Sequence, residues 1–316
     1  MFEVIVVGGG SAGLSAALTL GRTHRHALVL DSGAGRNAPA EAVHNFFTRD
    51  GVPPARIREI AHEQLRSYPT IELRHGTVQG VRQLPEHRGF AVRLTDGGEV
   101  ESKRLLLASG VVDELPDITG IAQLWGRSVF HCPYCHGFEA SGRSIAVIGA
   151  TPDRIRLALH LSRFSSDVAL CTDGATDLPE AARGPLAAAG IPVHTGLVAE
   201  FRSAGTKLAA IAFADGGELP REAAFVTSTP VQRSPLPEQL GCSMFADTTV
   251  EVDEFHQTSV TGVYAAGDMA RRASVPMPFA AVITAAAAGT IAASAIDQDL
   301  LSHDFGLPNP LSAGRH

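Results

Sequence analysis

The stretch VIVVGGGSAGL, residues Val4–Leu14, decides the fold of this chain. Its four leading residues form an apolar, mostly β-branched run of the kind that is buried in a parallel sheet. Gly8, Gly10 and Gly13 follow at the spacing of the G-x-G-x-x-G fingerprint. In that pattern the glycines allow a tight turn, backbone access to a pyrophosphate and close packing of helix on strand. A helical pattern then runs over 14–20, so the stretch predicts a strand, a nucleotide-binding turn and a helix.

A second apolar run completes a βαβ unit. Residues Ala27–Leu30 form it, and the run ends at Asp31, 18 residues after Gly13. A carboxylate at this place can accept hydrogen bonds from a ribose. A lone fingerprint is a weak signal, but the strand, helix and acidic residue in the right order predict a nucleotide site.

Composition limits the classes of protein to which the chain can belong. It has 316 residues, of which 45% are hydrophobic and 19% charged, and a net charge of −7. This predicts about two domains with substantial cores and argues against a nucleic-acid partner, which needs a basic surface. The Ala-rich stretch 280–296 is too short and too weakly hydrophobic for a membrane span. Because no basic, apolar leader is visible, we expect a cytoplasmic protein without a membrane partner.

A second doubly wound pattern lies in the middle of the chain. A strand-like run over Ser144–Gly149 is followed by a helical pattern over 154–164 and a further strand over Val168–Cys171. Near the C-terminus, a strand over 261–266 leads into the Gly267-Asp268 turn and a long Ala-rich helix. The predicted fold class is therefore α/β, with two Rossmann-like doubly wound domains.

The sharpest chemical signal is HCPYCHGFE, residues His131–Glu139. A C-x-x-C pair can form a reversible disulfide, and a helix N-terminus at the motif stabilises a thiolate. The alternatives are a structural disulfide, disfavoured by the tiny ring that it would close, and half of a zinc site, which usually takes a second ligand pair from elsewhere. We expect no metal. Cys171 and Cys242 stand alone beside apolar stretches and are predicted to be buried thiols.

Two histidines flank the cysteine pair. Histidine titrates near neutral pH, so a positioned imidazole can take a proton from an attacking thiol and return it later. His136 directly follows the second cysteine and is the better candidate base, with His131 as the second candidate. The alternative for either residue is an ordinary surface histidine.

Taken together, these motifs resemble the low-molecular-weight thioredoxin reductase family of flavoprotein disulfide oxidoreductases. The resemblance rests on the first fingerprint, the strand end Leu107–Gly110, the C-x-x-C motif and Ala266–Asp268, in family order and spacing. It implies that the cofactor is FAD, that Cys135 faces the flavin and that Cys132 exchanges with substrate. It also implies a set of FAD-binding residues: Gly8, Gly10, Ser11, Ala12, Gly13, Asp31, Ser32, Asn45, Ser109, Gly110, Gly267, Asp268, Val282, Ile283 and Thr284. Of these, Asp268 is expected on the ribityl side and Thr284 near the isoalloxazine.

The same resemblance implies a discontinuous domain organisation. Residues 1–115 and 246–316 are expected to form the FAD-binding domain. Residues 116–245 are expected to form an inserted domain that carries the cysteine pair. A homodimer is implied by the resemblance alone.

The inserted domain departs from the family at its own glycine-rich turn. Thioredoxin reductases bind NADPH there through a second fingerprint, but here Thr151 stands in place of its middle glycine and would crowd a pyrophosphate. Pro152 removes an N–H donor. Asp173 follows the next strand, where its carboxylate would repel a 2′-phosphate. These residues argue that the nucleotide site is degenerate and that NADPH is not used.

With His136 where thioredoxin reductases usually have Asp, the motif resembles that of FAD-dependent dithiol oxidases, which close disulfides in gliotoxin, holomycin and romidepsin. The resemblance implies that a small-molecule dithiol is oxidised to a disulfide, with O₂ as electron acceptor and H₂O₂ as product. Three alternatives stay open: an NADPH-dependent thioredoxin reductase, a disulfide reductase fed by another donor such as ferredoxin, and a non-catalytic flavin-binding sensor.

Overall fold

A computed structural model describes residues 1–311. The strands, in chain order, are β1 (Phe2–Val7), β2 (Ala27–Asp31), β3 (Ile71–His75), β4 (Val78–Gln83), β5 (Phe90–Leu94), β6 (Glu99–Leu107), β7 (Val111–Glu114), β8 (Val129–Phe130), β9 (Ile145–Ile148), β10 (Val168–Cys171), β11 (Val193–His194), β12 (Val198–Ala204), β13 (Lys207–Phe213), β14 (Glu218–Pro220), β15 (Ala223–Phe225), β16 (Thr229–Gln232), β17 (Val250–Val252), β18 (Val263–Ala265) and β19 (Ala270–Arg272). The α-helices are α1 (Ser11–Arg22), α2 (Pro54–Leu65), α3 (Ile121–Leu124), α4 (Pro133–His136), α5 (Pro152–Leu161), α6 (Glu180–Ala188), α7 (Leu236–Leu240) and α8 (Val282–Phe305). Residues 312–316, part of the segment assigned above to the FAD-binding domain, lie outside the described residues.

The chain divides into two compact units. Unit 1 comprises Met1–Ala38, Pro54–Val112 and the chain from Pro230 onwards, and unit 2 comprises Pro39–Pro53 and Asp113–Thr229. This division differs from the expected boundaries in three places. Unit 1 resumes at Pro230 rather than at residue 246, and residues 39–53 belong to unit 2. The third difference is small, since unit 2 begins at Asp113 rather than at residue 116.

Packing explains the two larger differences. Leu236 of α7 and Cys242 are buried in the same cluster as Ile5 of β1, so this part of the chain completes the core of unit 1. Pro39 packs so closely against Gly126 that a Cβ on that glycine would lie 2.9 Å from the Pro39 carbonyl carbon. Segment 39–53 is therefore held by unit 2 contacts.

Unit 1 is built on a seven-stranded sheet. Strands β3, β2, β1 and β6 lie side by side and are all parallel, with Ile5 paired to both Leu28 and Leu105. Strand β18 continues the parallel arrangement along the last residues of β6. Strand β4 pairs antiparallel with β5, and β5 pairs antiparallel with the first half of β6.

Both faces of this sheet are covered. Val4 and Val6 of β1 belong to a cluster with α1 and α8, whereas Ile5 and Val7 belong to a second cluster with Phe90. Successive side chains of a strand point to opposite faces, so an unbroken apolar run is what a strand with two buried faces needs. Each such side chain contributes about 1.5–3 kcal/mol through burial.

Unit 2 contains a five-stranded, fully parallel sheet in the order β11-β10-β9-β15-β8. Parallel strands end at the same edge, where α/β folds place their sites. At this edge β8 leads into His131, β9 into Gly149 and β15 into Val226. The predicted α/β fold with two Rossmann-like parts is confirmed, and one sheet edge of unit 2 collects the cysteine motif and the second glycine-rich turn.

Candidate active site

The first glycine-rich turn has the geometry that a pyrophosphate requires. A Cβ on Gly8 would lie 2.3 Å from the Ala108 carbonyl oxygen, and one on Gly13 would lie 1.9 Å from the Gly8 carbonyl oxygen, so neither position accepts a side chain. A Cβ on Gly10 would meet no atom within 4 Å. Helix α1 begins after Gly10 without a side-chain cap, and its leading N–H groups suit a phosphate.

Asp31 ends β2 beside this turn. Its carboxylate accepts a hydrogen bond from the Gly9 N–H at 3.1 Å and pairs with the Arg58 guanidinium, which also donates to the Gly9 carbonyl at 3.0 Å. Burial opposes ionisation of Asp31, but Arg58 and the N–H groups of Gly9 and Gly33 outweigh it and lower the pKa of the carboxyl. Asp31 is therefore an ionised acceptor, as ribose binding requires. Arg58, which reaches the turn from α2, was not among the residues expected from the sequence.

The Gly267-Asp268 turn packs on the start of α1. A Cβ on Gly267 would lie 3.1 Å from the Ala12 Cβ, and one on Gly289 of α8 would lie 2.0 Å from the Ala12 carbonyl oxygen. The Asp268 carboxylate accepts a hydrogen bond from Arg36 at 2.8 Å. Close packing of small residues thus holds Asp268 against the helix that begins at the glycine-rich turn.

The other residues expected to bind FAD lie at element ends. Ser109 and Gly110 follow β6, and the Ser109 hydroxyl contacts the Met269 sulfur at 3.5 Å. Ser32 follows β2. Residues 282–284 open α8, where the Thr284 hydroxyl accepts from the Ala281 N–H at 3.1 Å and so caps the helix.

Asn45 differs from the rest of the set because it belongs to unit 2. Its Nδ2 donates to the Tyr134 carbonyl at 2.6 Å, inside the cysteine motif. All the other expected FAD residues lie in unit 1. There the tight glycines, the open face at Gly10 and the ionised Asp31 fit a dinucleotide such as FAD.

The cysteine motif begins at the end of β8. Cys132 is the N-cap of α4 and Pro133 is its first residue, where proline is preorganised for a helix. Cys135 lies within the single turn of α4, and the His136 N–H donates to the Cys132 carbonyl at 3.2 Å. Both cysteines are half-buried. Since α4 is only one turn long, its dipole gives a thiolate less support than the expected helix would have given.

His136 lies in an apolar place. Its ring stacks on Phe130 with centroids 4.4 Å apart, and its buried Nε2 has no hydrogen-bond partner among the described residues. Burial lowers the pKa of His136 to about 4, with smaller contributions from the imidazoles of His131 and His44. His136 is therefore neutral at pH 7 and a weaker base than its position in the sequence suggests.

His131 stacks on Trp125, with centroids 5.4 Å apart. A third imidazole, which the sequence interpretation missed, lies on the other side of His136. The His44 ring is 6.5 Å from the His136 ring, edge to face. His44 Nε2 lies 3.4 Å from Glu139 Oε1, and Nδ1 lies 3.7 Å from Asp50 Oδ1. A histidine with two nearby carboxylates thus lies next to the cysteine motif. Segment 39–53 has no regular pattern that could have indicated it.

A side chain lies across the second glycine-rich turn. Arg154 Nη1 donates to the Val226 carbonyl at 3.1 Å, and its Cγ lies 3.1 Å from where a Cβ on Gly149 would be. The arginine therefore runs across the turn from β9 to β15. Asp173, after β10, accepts from the Val198 N–H at 2.9 Å, so its carboxylate stays at the strand end where a 2′-phosphate is usually bound.

No three His, Cys, Asp or Glu side chains within residues 1–311 are grouped so that they could hold a metal ion. Cys171 and Cys242 are buried as expected, and burial raises the pKa of Cys171 to about 12. None of the helices in the described range is long and apolar enough to cross a membrane.

Comparisons with known proteins agree with this geometry. Residues 2–289 match the model of the pyridine nucleotide-disulphide oxidoreductase family. Thioredoxin reductase sirT of Leptosphaeria maculans is 32% identical over 330 residues, which cover 99% of this chain and 98% of the relative. Thioredoxin reductase tcpT of Claviceps purpurea is 33% identical over 308 residues, or 94% of this chain and 95% of the relative.

Solved structures give the same result. The crystal structure of HlmI has a TM-score of 0.89 and 36% identity, and the match covers 96% of this chain and 94% of HlmI. That of a putative thioredoxin reductase TrxB from Bacillus anthracis has a TM-score of 0.88 and 29% identity, with 96% and 100% covered. The expectations of an oxidoreductase and of FAD are confirmed at family level. The chain belongs to the pyridine nucleotide-disulphide oxidoreductase family, as a thioredoxin reductase-like, FAD-binding thiol/disulfide oxidoreductase.

Proposed function

We propose that this protein oxidises the two thiols of a small molecule to a disulfide, with Cys132 and Cys135 as the exchanging pair. O₂ is the final electron acceptor and H₂O₂ the product. NADPH has no part in this reaction. The proposal extends the resemblance to dithiol oxidases with the geometry of unit 2.

Arg154 is the observation that carries the proposal. In a Rossmann turn the backbone after the first strand must be open to the pyrophosphate of the nucleotide. Here the arginine side chain lies against Gly149 and is tied to the Val226 carbonyl. Pro152, at the first position of α5, removes one further N–H donor. Hydride donation by NADPH is disfavoured, so electrons enter through the thiols.

The residues of this chain have separate tasks. Cys132 receives the substrate sulfur, and Cys135 leaves as a thiolate when the disulfide between them opens. Asp31, Asp268 and the glycine-rich turn of unit 1 hold the cofactor. Bound FAD supplies a two-electron acceptor for the reduced pair and a centre that reacts with O₂.

The second candidate function is a disulfide reductase that uses NADPH or another donor such as ferredoxin. It is favoured by the similarity to sirT and tcpT, both of which are named thioredoxin reductases. The same cysteine pair serves either direction, so the electron donor distinguishes the two functions.

One experiment separates them. The purified yellow holoprotein is mixed with dithiothreitol in air, without any nicotinamide, and H₂O₂ is measured. Steady peroxide formation supports the oxidase, whereas rapid bleaching of the flavin by NADPH and no peroxide from dithiol would establish the reductase. Cys135→Ser should abolish turnover. Cys171→Ala, which removes a buried thiol outside the motif, is the matched control and should retain it.

The expected small dithiol substrate, the homodimer, the cytoplasmic location and the absence of nucleic-acid and membrane partners stay predictions.

A further inference from the structure

His44 is held rigidly beside the cysteine motif. Segment 39–53 closes on itself through Val43, whose N–H donates to the Val52 carbonyl at 2.9 Å. Asp50 accepts from the Asn45 N–H at 2.8 Å, and the Asn45 side chain donates to the Tyr134 carbonyl at 2.6 Å. The segment is therefore fastened to the same short helix that carries the cysteines.

Two carboxylates lie beside the ring nitrogens of His44. Glu139 Oε1 lies 3.4 Å from Nε2 and Asp50 Oδ1 lies 3.7 Å from Nδ1. A carboxylate beside an imidazole orients the ring and stabilises the positive charge that forms when the ring accepts a proton from a reacting group. The His136 ring lies 6.5 Å from the His44 ring, edge to face. His44 therefore has the carboxylate neighbours of a proton-accepting imidazole, at the side of the cysteine motif.

His136 alone is a poor proton acceptor. It lies inside the motif, and its Nε2 is buried without a hydrogen-bond partner among the described residues, so an acceptor atom is left unused there. However, burial on Phe130 keeps the pKa of His136 near 4, so a proton taken there at pH 7 must move on. His131 stacks on Trp125 and, like His44, lowers the pKa of His136 through its charge.

We infer that His44, held between Glu139 and Asp50, is the second imidazole of a proton relay that begins at His136. The inference rests on the proposed dithiol chemistry. The 6.5 Å between the ring centroids is too long for a direct hydrogen bond. The proton therefore crosses through one intervening group, a water molecule or a substrate thiol.

The relay balances the exchange reaction. The first substrate thiol gives its proton to the relay while its sulfur bonds to Cys132. The bond between Cys132 and Cys135 breaks, and its electron pair stays on Cys135 as a thiolate. The proton ends on His44, so that one cation balances the new anion. The second substrate thiol then attacks the mixed disulfide, and its proton passes to the Cys132 sulfur as that sulfur leaves.

The test measures the rate at which dithiothreitol bleaches the bound flavin without oxygen, from about pH 5 to 9, across the range in which histidine titrates. His44→Ala should slow the reaction at neutral pH by about 100-fold, as loss of acid–base catalysis does. Added free imidazole should restore much of the rate. Glu139→Gln should slow the reaction less than His44→Ala, because the imidazole is kept and only its carboxylate neighbour is lost. His87→Ala removes an exposed imidazole outside the cysteine motif and is the control, with an unchanged profile.

Two results would overturn the relay. One is a His44→Ala protein with the rate and pH profile of the wild type. The other is a slow variant whose pH profile keeps the shape of the wild-type profile and whose rate is not restored by imidazole. That outcome would indicate a structural role for His44. Peroxide assays of the wild type distinguish a failure of the oxidase proposal from a failure of the relay. If the wild type forms no peroxide, the relay is tested by a second reaction. The reduced cysteines of the wild type and of the same variants are allowed to exchange with a chromogenic aromatic disulfide. The same two results would then overturn the relay.

Discussion

Protonation of His136 should make unit 2 less stable as the pH falls. Its pKa of about 4 in the folded protein lies below the ordinary value of 6.5. Between these two values the unfolded chain binds a proton that the folded chain does not, so stability is full above pH 6.5 and declines as the pH drops towards 4. At pH 5 the loss amounts to about 2 kcal/mol, and below pH 4 it levels off at about 3 kcal/mol.

The perturbation is His136→Phe, which keeps an aromatic ring on Phe130 but cannot titrate. Urea unfolding of the holoprotein is followed at pH 7.5 and pH 5 through Trp125, which is the single tryptophan of the chain and lies in unit 2. Other titrating groups contribute equally to both proteins, so the difference between their pH dependences isolates His136. The wild type should lose about 2 kcal/mol more than the variant between these pH values.

An equal loss in both proteins would refute the reasoning, because it would mean that His136 is not held neutral by burial. His160→Asn is the control, since it removes a ring that remains in contact with solvent. It should leave the pH dependence of the wild type unchanged.

Two further predictions concern unit 1. Gly13→Ala should abolish flavin retention, seen as loss of the yellow flavin absorbance, because its Cβ would lie 1.9 Å from the Gly8 carbonyl oxygen. Gly10→Ala should instead fold with an unchanged melting temperature but bind FAD at least tenfold more weakly, about 1.4 kcal/mol, since its Cβ enters the open face; tight binding would contradict the assigned phosphate path. Arg58→Met should raise the pKa of Asp31. On acidification the variant should therefore lose its affinity for FAD, measured by fluorescence titration, at a higher pH than the wild type. If both proteins lose FAD at the same pH, the ion pair has no such effect.

The sheets and glycine-rich turns could be predicted because their signals are local. An apolar run such as that of β1 has no alternative to burial on both faces, and the glycines of the turn after it are required by contacts within one βαβ unit. The location of the cysteine pair at the start of a helix could also be predicted, because Pro133 is a local signal for a helix N-terminus.

The chemistry around the cysteines could not be predicted because it depends on contacts between distant parts of the chain. The low pKa of His136 results from burial on Phe130, and nothing in a sequence shows which ring covers which. Arg154 was visible in the second turn, but the path of a long side chain across a sheet edge has no local pattern. His44 reaches the motif only through tertiary structure.

The assignment of residues 39–53 to unit 2 has a consequence for synthesis and for engineering. This short segment leaves the ribosome well before the rest of its unit, so it must wait, unpaired, until residues 113–229 have emerged. A recombinant fragment cut at the single obvious insertion, 113–229, would lack the loop that carries His44 and would leave the Gly126 side of the unit uncovered. A minimal redox module would need the two pieces joined by a designed linker, with the early piece placed at either end.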